Sequence, residues 1–210
     1  MPLRSVIALY RLGFGLLTVL AMVVQMVSLA QAGTLDPVQY LTFFTILSNA
    51  LATVLFLAGA ARWRAPRSAT FDFLRGFAVV SMTITGVVFA VLLSGTNVDT
   101  AIPWVNSVVH EVMPIVVMAD WLLDPPQQRL TLSQGALWVV YPAAWLIYEE
   151  IRGAISGKYH YPFTNPANGG YGSVILTSLV MLVFTLVVCG VVVWLANVRG
   201  SQGSAARQGA

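Results

Sequence analysis

Of the 210 residues in the chain, 58% are hydrophobic and only 9% are charged, against roughly 25% charged in soluble domains. With a mean hydropathy of +0.79, this composition excludes a soluble globular enzyme and identifies an integral, multi-pass membrane protein. The net charge of +3 comes from arginines scattered along short connections, not from a basic face, so a nucleic-acid partner is excluded. The single cysteine, Cys189, excludes an intramolecular disulfide and a cysteine-based zinc site.

A membrane-spanning helix needs about 20 largely apolar residues. Six stretches qualify in chain order: Val6–Leu29, Val38–Ala60, Phe71–Leu93, Ile102–Leu123, Leu132–Ile151 and Val174–Ala196. The predicted fold is all-α, a bundle of six transmembrane helices over residues 1–198 with a flexible tail over 199–210. Arg4, Arg62, Arg64, Arg67, Arg129, Arg199 and Arg207 all fall on one side of this topology. Positive charges in short loops are retained in the cytoplasm, which predicts cytoplasmic termini and a cytoplasmic tail. The start of the chain, with an arginine, an apolar run and Ala30-Gln31-Ala32, has the look of a cleaved secretory signal. Its apolar run exceeds the usual length of about 7–15 residues, and it is kept as the first span.

Polar residues inside the spans separate into two levels. The cytoplasmic level holds Arg11, Asp72, Arg75, Asp120 and Asp124. It reads as structural, with the arginine heads reaching the interface and the aspartates supplying opposite charge.

The outer level is richer. Thr42, Thr45 and Asn49 lie on the second span at a spacing that puts them on one helix face. They form either a helix-packing stripe or part of a site. On the fourth span, His110 is an ionisable side chain in an apolar segment, which is expensive and calls for a partner. Asn106 lies one turn above it and Pro114 one turn below; lacking an N–H, Pro114 deprives the His110 carbonyl of its helical partner and opens the helix there. Glu111, the next residue, points about 100° away from the imidazole. At about 1.5 Å per residue, Thr42 lies about 6 Å and His110 about 10 Å below the outer surface, so the two can meet if their helices are neighbours. The motif H-E-x-x-H would require histidine where Pro114 stands, and His160, in the loop after the fifth span, offers no ligand set for haem or a metal. No cofactor and no metal are expected.

The fifth span ends on Tyr148, Glu149, Glu150 and Arg152. These form a hydrated interfacial group, or Arg152 recognises a substrate carboxylate through its planar fork. Tyr159, Tyr161 and Phe163 in the following loop form an interfacial belt or cover a lipid-accessible site.

YLTFFTILSNAL in the second span, VVHEVMPIVVMADWLLDPP in the fourth and YPAAWLIYEEIRGAISGKYHYPFTNPANGGYG across the fifth span and its loop together resemble the bacterial six-span relatives of the androgen-induced membrane protein family. The resemblance runs from about Tyr40 to Tyr171. Animal members are intramembrane threonine hydrolases of fatty acid esters of hydroxy fatty acids. The resemblance therefore implies a bacterial cell-membrane lipid ester hydrolase with Thr42 as nucleophile and His110 as its base. A lipid ester would enter from the outer leaflet, with Thr45, Asn49, Asn106, Glu111, Tyr148, Arg152 and Tyr161 contacting it. The competing functions are a small transporter or proton-coupled protein using His110 and Glu111, and a structural protein whose polar layers only join helices.

Overall fold

The computed structural model describes residues 3–93 and 102–208, with side chains through residue 198. Of the expected tail, residues 209–210 and the side chains from Arg199 onward, Arg207 among them, lie outside the described residues. Among the described residues the chain is helical with no strand, and five helices are long and apolar enough to cross a membrane: Leu3–Gln31, Phe44–Ala61, Ala69–Leu93, Pro103–Leu123 and Gly170–Val198.

Helix α1 (Leu3–Gln31) buries Ile7, Arg11, Gly15, Thr18, Ala21 and Gln25, a single stripe at helical spacing. Its opposite face exposes Leu9, Leu16, Leu20, Val23 and Val27, the inverse of a water-soluble helix and the pattern expected against lipid. Gly15 lets α1 approach its neighbour, since a Cβ there would lie 2.9 Å from the Leu57 side chain. A turn through Gly33, at φ +69°, leads to α2 (Pro37–Thr42). Asp36 caps α2 by accepting the Gln39 N–H, and that bond holds its carboxyl below the ordinary carboxylate value.

The second predicted span is interrupted. Phe43 is extended, with φ −57° and ψ 133°, and separates α2 from α3 (Phe44–Ala61). Helix α4 (Ala69–Val88) starts on a Ser68 cap and continues through a wider π turn, Phe89–Leu93. The fourth span comprises α5 (Pro103–Ser107), a second π turn over Val108–Val112 and α6 (Met113–Leu123). Met113 N–H bonds the Val108 carbonyl five residues back. This is how the helix absorbs the donor that Pro114 lacks. Gly86 of α4 fits against the distortion: a Cβ there would lie 2.8 Å from the Pro114 ring.

The fifth predicted span, Leu132–Ile151, is also divided, into α7 (Leu132–Leu137), which opens with a Thr131/Gln134 capping box, and α8 (Val140–Ser156). Pro142 cannot donate to the Trp138 carbonyl, so regular helix fails just before it. Trp138 instead anchors the junction, its indole N–H donating to the Phe73 carbonyl at 3.1 Å over Gly76, where a Cβ would collide with the ring at 2.3 Å. Helix α9 (Gly170–Gln208) closes the bundle against α4, α6 and α7.

At one end of the bundle the charged residues form a single buried network. Arg11 reaches Asp120 at 2.7 Å and Asp124 at 2.8 Å, while Arg75 reaches Asp120 at 2.7 Å and Asp72 at 3.1 Å. Arg67, from the connection before α4, joins by pairing with Asp124 and, at 3.3 Å, Asp72. The arginine heads were expected at the interface, but Arg11 and Arg75 are only 5% and 4% exposed. Three guanidinium groups and three carboxylates compensate one another there and tie α1, α4 and α6 together. Removing one partner strands a buried charge, so Asp120→Ala is expected to lose about 3–5 kcal/mol of stability, measured by thermal or denaturant unfolding in detergent.

Candidate functional site

The interruption at Phe43 builds the site. It leaves the Thr42 carbonyl and the first amides of α3 without regular helical partners. The Thr42 carbonyl accepts the Trp145 indole N–H from α8 at 2.8 Å, and the Thr45 N–H donates to the Tyr161 oxygen at 3.3 Å. The same interruption turns Thr42 away from the face that carries Thr45 and Asn49, so the three do not share one helix face as expected.

The consequence is a change of partners. Thr45, not Thr42, meets His110: the hydroxyl lies 3.3 Å from Nε2 and 3.2 Å from the Tyr161 hydroxyl. Thr42 instead lies 3.1 Å from Nε2 of His160 and donates its own proton to the Val38 carbonyl at 2.5 Å. Two threonine–histidine pairs therefore stand side by side, and proton counting separates them.

His110 is buried in the π turn, stacked on Phe89 at 4.4 Å between ring centroids. Its Nδ1 lies 3.2 Å from the Asn106 carbonyl, which can only accept, so Nδ1 carries the hydrogen. In the neutral ring Nε2 is then a bare acceptor aimed at the Thr45 hydroxyl. Tyr161 completes the chain by donating to Thr45, whose own proton points at the imidazole.

His160 has the opposite arrangement. Its Nε2 lies 3.0 Å from the Gln39 carbonyl, again an acceptor only, so that nitrogen carries a hydrogen and donates. Its Nδ1 pairs with the Glu149 carboxylate, whose other oxygen accepts the His160 backbone N–H at 2.5 Å and the Thr164 hydroxyl at 3.0 Å. Thr42, His160 and Glu149 have the outline of a catalytic triad, but its imidazole faces the hydroxyl with a donor. The group is a brace between α2, α8 and the loop.

The remaining predicted contacts divide. Asn49 donates to the Thr45 and Val109 carbonyls at 2.9 and 3.0 Å, clamping α3 to the His110 turn. Asn106 contributes its carbonyl to His110. Arg152 donates to the Lys158 carbonyl at 3.0 Å and to the Gln39 side chain, so it holds the loop onto α2. Glu111 and Tyr148 are exposed, and neither shares the contacts of His110. Glu149, His160, Trp145 and Thr164, all in the 141–172 stretch, hold the surroundings of the site together in roles that their sequence positions do not mark. Among the described residues, no group of three or more His, Cys, Asp or Glu side chains could hold a metal ion.

Thr45 and Tyr161 line a cavity of about 280 Å³ between α3, α4, α8 and α9, whose walls include Phe44, Trp145, Phe163 and Met181. His110 does not itself line the cavity but is in contact with Thr45, which does. Ile147, Leu179 and Leu182 line the same cavity and are exposed, so it opens sideways between α8 and α9 onto the apolar surface of the bundle. Compared with known proteins, the chain matches no family model, no curated protein and no solved structure.

The brace is expected to be separable from the site. Glu149→Ala should cost about 3 kcal/mol and raise hydrogen–deuterium exchange across residues 159–164 by about tenfold or more.

Proposed function

We propose that the chain is an intramembrane carboxylic-ester hydrolase in which Thr45 is the nucleophile and His110 the general base. The observation that carries this reading is the position of the Thr45 hydroxyl, 3.3 Å from the bare Nε2 of His110, on a residue that lines the apolar cavity. A threonine hydroxyl is a weak nucleophile until a base removes its proton, and here base and hydroxyl are already in contact. The stretches that resemble the androgen-induced membrane protein family support the same chemistry. The nucleophile then lies three residues beyond Thr42, the threonine to which the resemblance points.

In this reaction Thr45 Oγ attacks the ester carbonyl while His110 Nε2 takes its proton. The ester C–O bond breaks, and the imidazolium returns the proton to the leaving alkoxide. Water, deprotonated by the same imidazole, then cleaves the acyl-threonine, releasing the acid and restoring the Thr45 hydroxyl. Tyr161 donates to the developing oxyanion, which forms next to the oxygen it now contacts. The lateral opening and the apolar walls favour a lipid ester, and fatty acid esters of hydroxy fatty acids are the class implied by the family resemblance.

The same reading takes α7 and α8 together as a sixth crossing. From Leu132 to Ser156 they comprise 25 positions, about 37 Å of helix for a hydrocarbon core of about 30 Å. Six crossings put both termini in the cytoplasm, with Arg4, Arg62, Arg64, Arg67 and Arg129 on that side. The site then lies towards the outer face of a bacterial cell membrane.

Thr45→Ala and His110→Ala are each expected to lower turnover of a branched fatty acid ester by about 10³-fold or more and to abolish labelling by a fluorophosphonate. Thr45→Ser should keep the label. Thr42→Ala should retain at least about half of the wild-type rate; loss of activity in Thr42→Ala with full activity in Thr45→Ala would return the nucleophile to Thr42.

A further inference from the structure

The end of the bundle where α1 begins contains a second, larger cavity, remote from the threonines. It has a volume of about 790 Å³ and is lined by Arg4 and Arg11 of α1, Arg62 and Arg64 after α3, and Arg67 before α4; Asp124 is the only acid in its described lining. Five guanidinium groups thus face it against one carboxylate, an excess of four positive charges.

The buried network neutralises Arg11 and Arg67 and reduces that excess to three. Asp72, Asp120 and Asp124 are already balanced by Arg11, Arg67 and Arg75. Arg4, Arg62 and Arg64 are surplus to that balance, and all three are exposed at the cavity. The Arg64 guanidinium lies 4.5 Å over the Trp63 ring. That stack fixes the plane of the fork while leaving its N–H edge available.

We infer that this cavity binds a phosphate group through Arg4, Arg62 and Arg64. Guanidinium forks that line one cavity suit an anion with several oxygens and one or two charges, bound bidentately. The cavity lies at the end of the helices, between Trp63 and the start of α1, which is the level of lipid headgroups, where basic pockets between helices receive anionic lipids. A headgroup phosphate and free inorganic phosphate present the same chemistry to these arginines.

The test uses the full chain in a neutral detergent, with its melting temperature read during titration with dioctanoyl phosphatidic acid, inorganic phosphate or dioctanoylglycerol. The expected result is a saturable rise with phosphatidic acid, none with dioctanoylglycerol, and apparent affinity about tenfold weaker in Arg62→Gln/Arg64→Gln. An equal rise with inorganic phosphate identifies the free anion as a sufficient ligand; a rise with phosphatidic acid alone identifies the headgroup. If the double variant does not fold, Arg4→Gln carries the test, with a loss of about threefold or more. The inference is overturned if neither phosphate probe raises the melting temperature, if dioctanoylglycerol does so equally, or if the folded variants bind as tightly as the wild type.

Discussion

A backbone that leaves regular helix inside an apolar bundle must find partners for the groups it frees, because no water is there to receive them. The arrangement around the threonines follows from that constraint. The extended residue Phe43 releases a carbonyl and amides near the start of a predicted span. The groups that satisfy them come from distant chain positions: Trp145 on α8 takes the carbonyl of Thr42, and Tyr161 from the loop takes the amide of Thr45. Docking of α8 and of the loop is therefore coupled to the break in the second span. The π turn around His110 obeys the same rule, with Asn49 filling the Val109 carbonyl across the helix interface.

The two histidines show how far neighbours decide what a side chain can do. Each ring lies near a threonine hydroxyl and near a backbone carbonyl. In His110 the carbonyl meets Nδ1 and leaves Nε2 open to the hydroxyl; in His160 the carbonyl meets Nε2 itself, and a carboxylate occupies Nδ1. One ring can receive a proton from its threonine and the other cannot. At the far end of the bundle, the arginines and aspartates show the complementary principle, in which charges are tolerated in the interior because each is matched by several opposite contacts.

Much of the architecture was legible because the membrane simplifies the reading of apolar runs. The long helices coincide with stretches chosen on hydropathy, and the cost of an ionisable group singled out His110. Pro114 was legible as the cause of a distortion, since the missing N–H is a property of the residue itself. The pairing of hydroxyl to imidazole was not. Depth brought the Thr42–Asn49 stretch level with His110, but the face depended on a single extended residue, Phe43, which is neither glycine nor proline and carries no local breaking tendency. Nor could spacing reveal His160 as a brace, because its partner Glu149 lies eleven positions earlier, across a loop that must fold first. Arg67 was read as a topological charge and proved to be part of the buried network, since its reach into the bundle depends on the path of the connection.

The sideways opening of the smaller cavity, between exposed Ile147, Leu179 and Leu182, has a consequence for any molecule that enters it. A lipid that enters there arrives by two-dimensional diffusion, already oriented and already partitioned. Its occupancy follows its mole fraction among the lipids, and not its molarity in the surrounding water. Adding inert lipid at a constant total amount of ligand would empty the cavity, and doubling the aqueous volume would leave it filled.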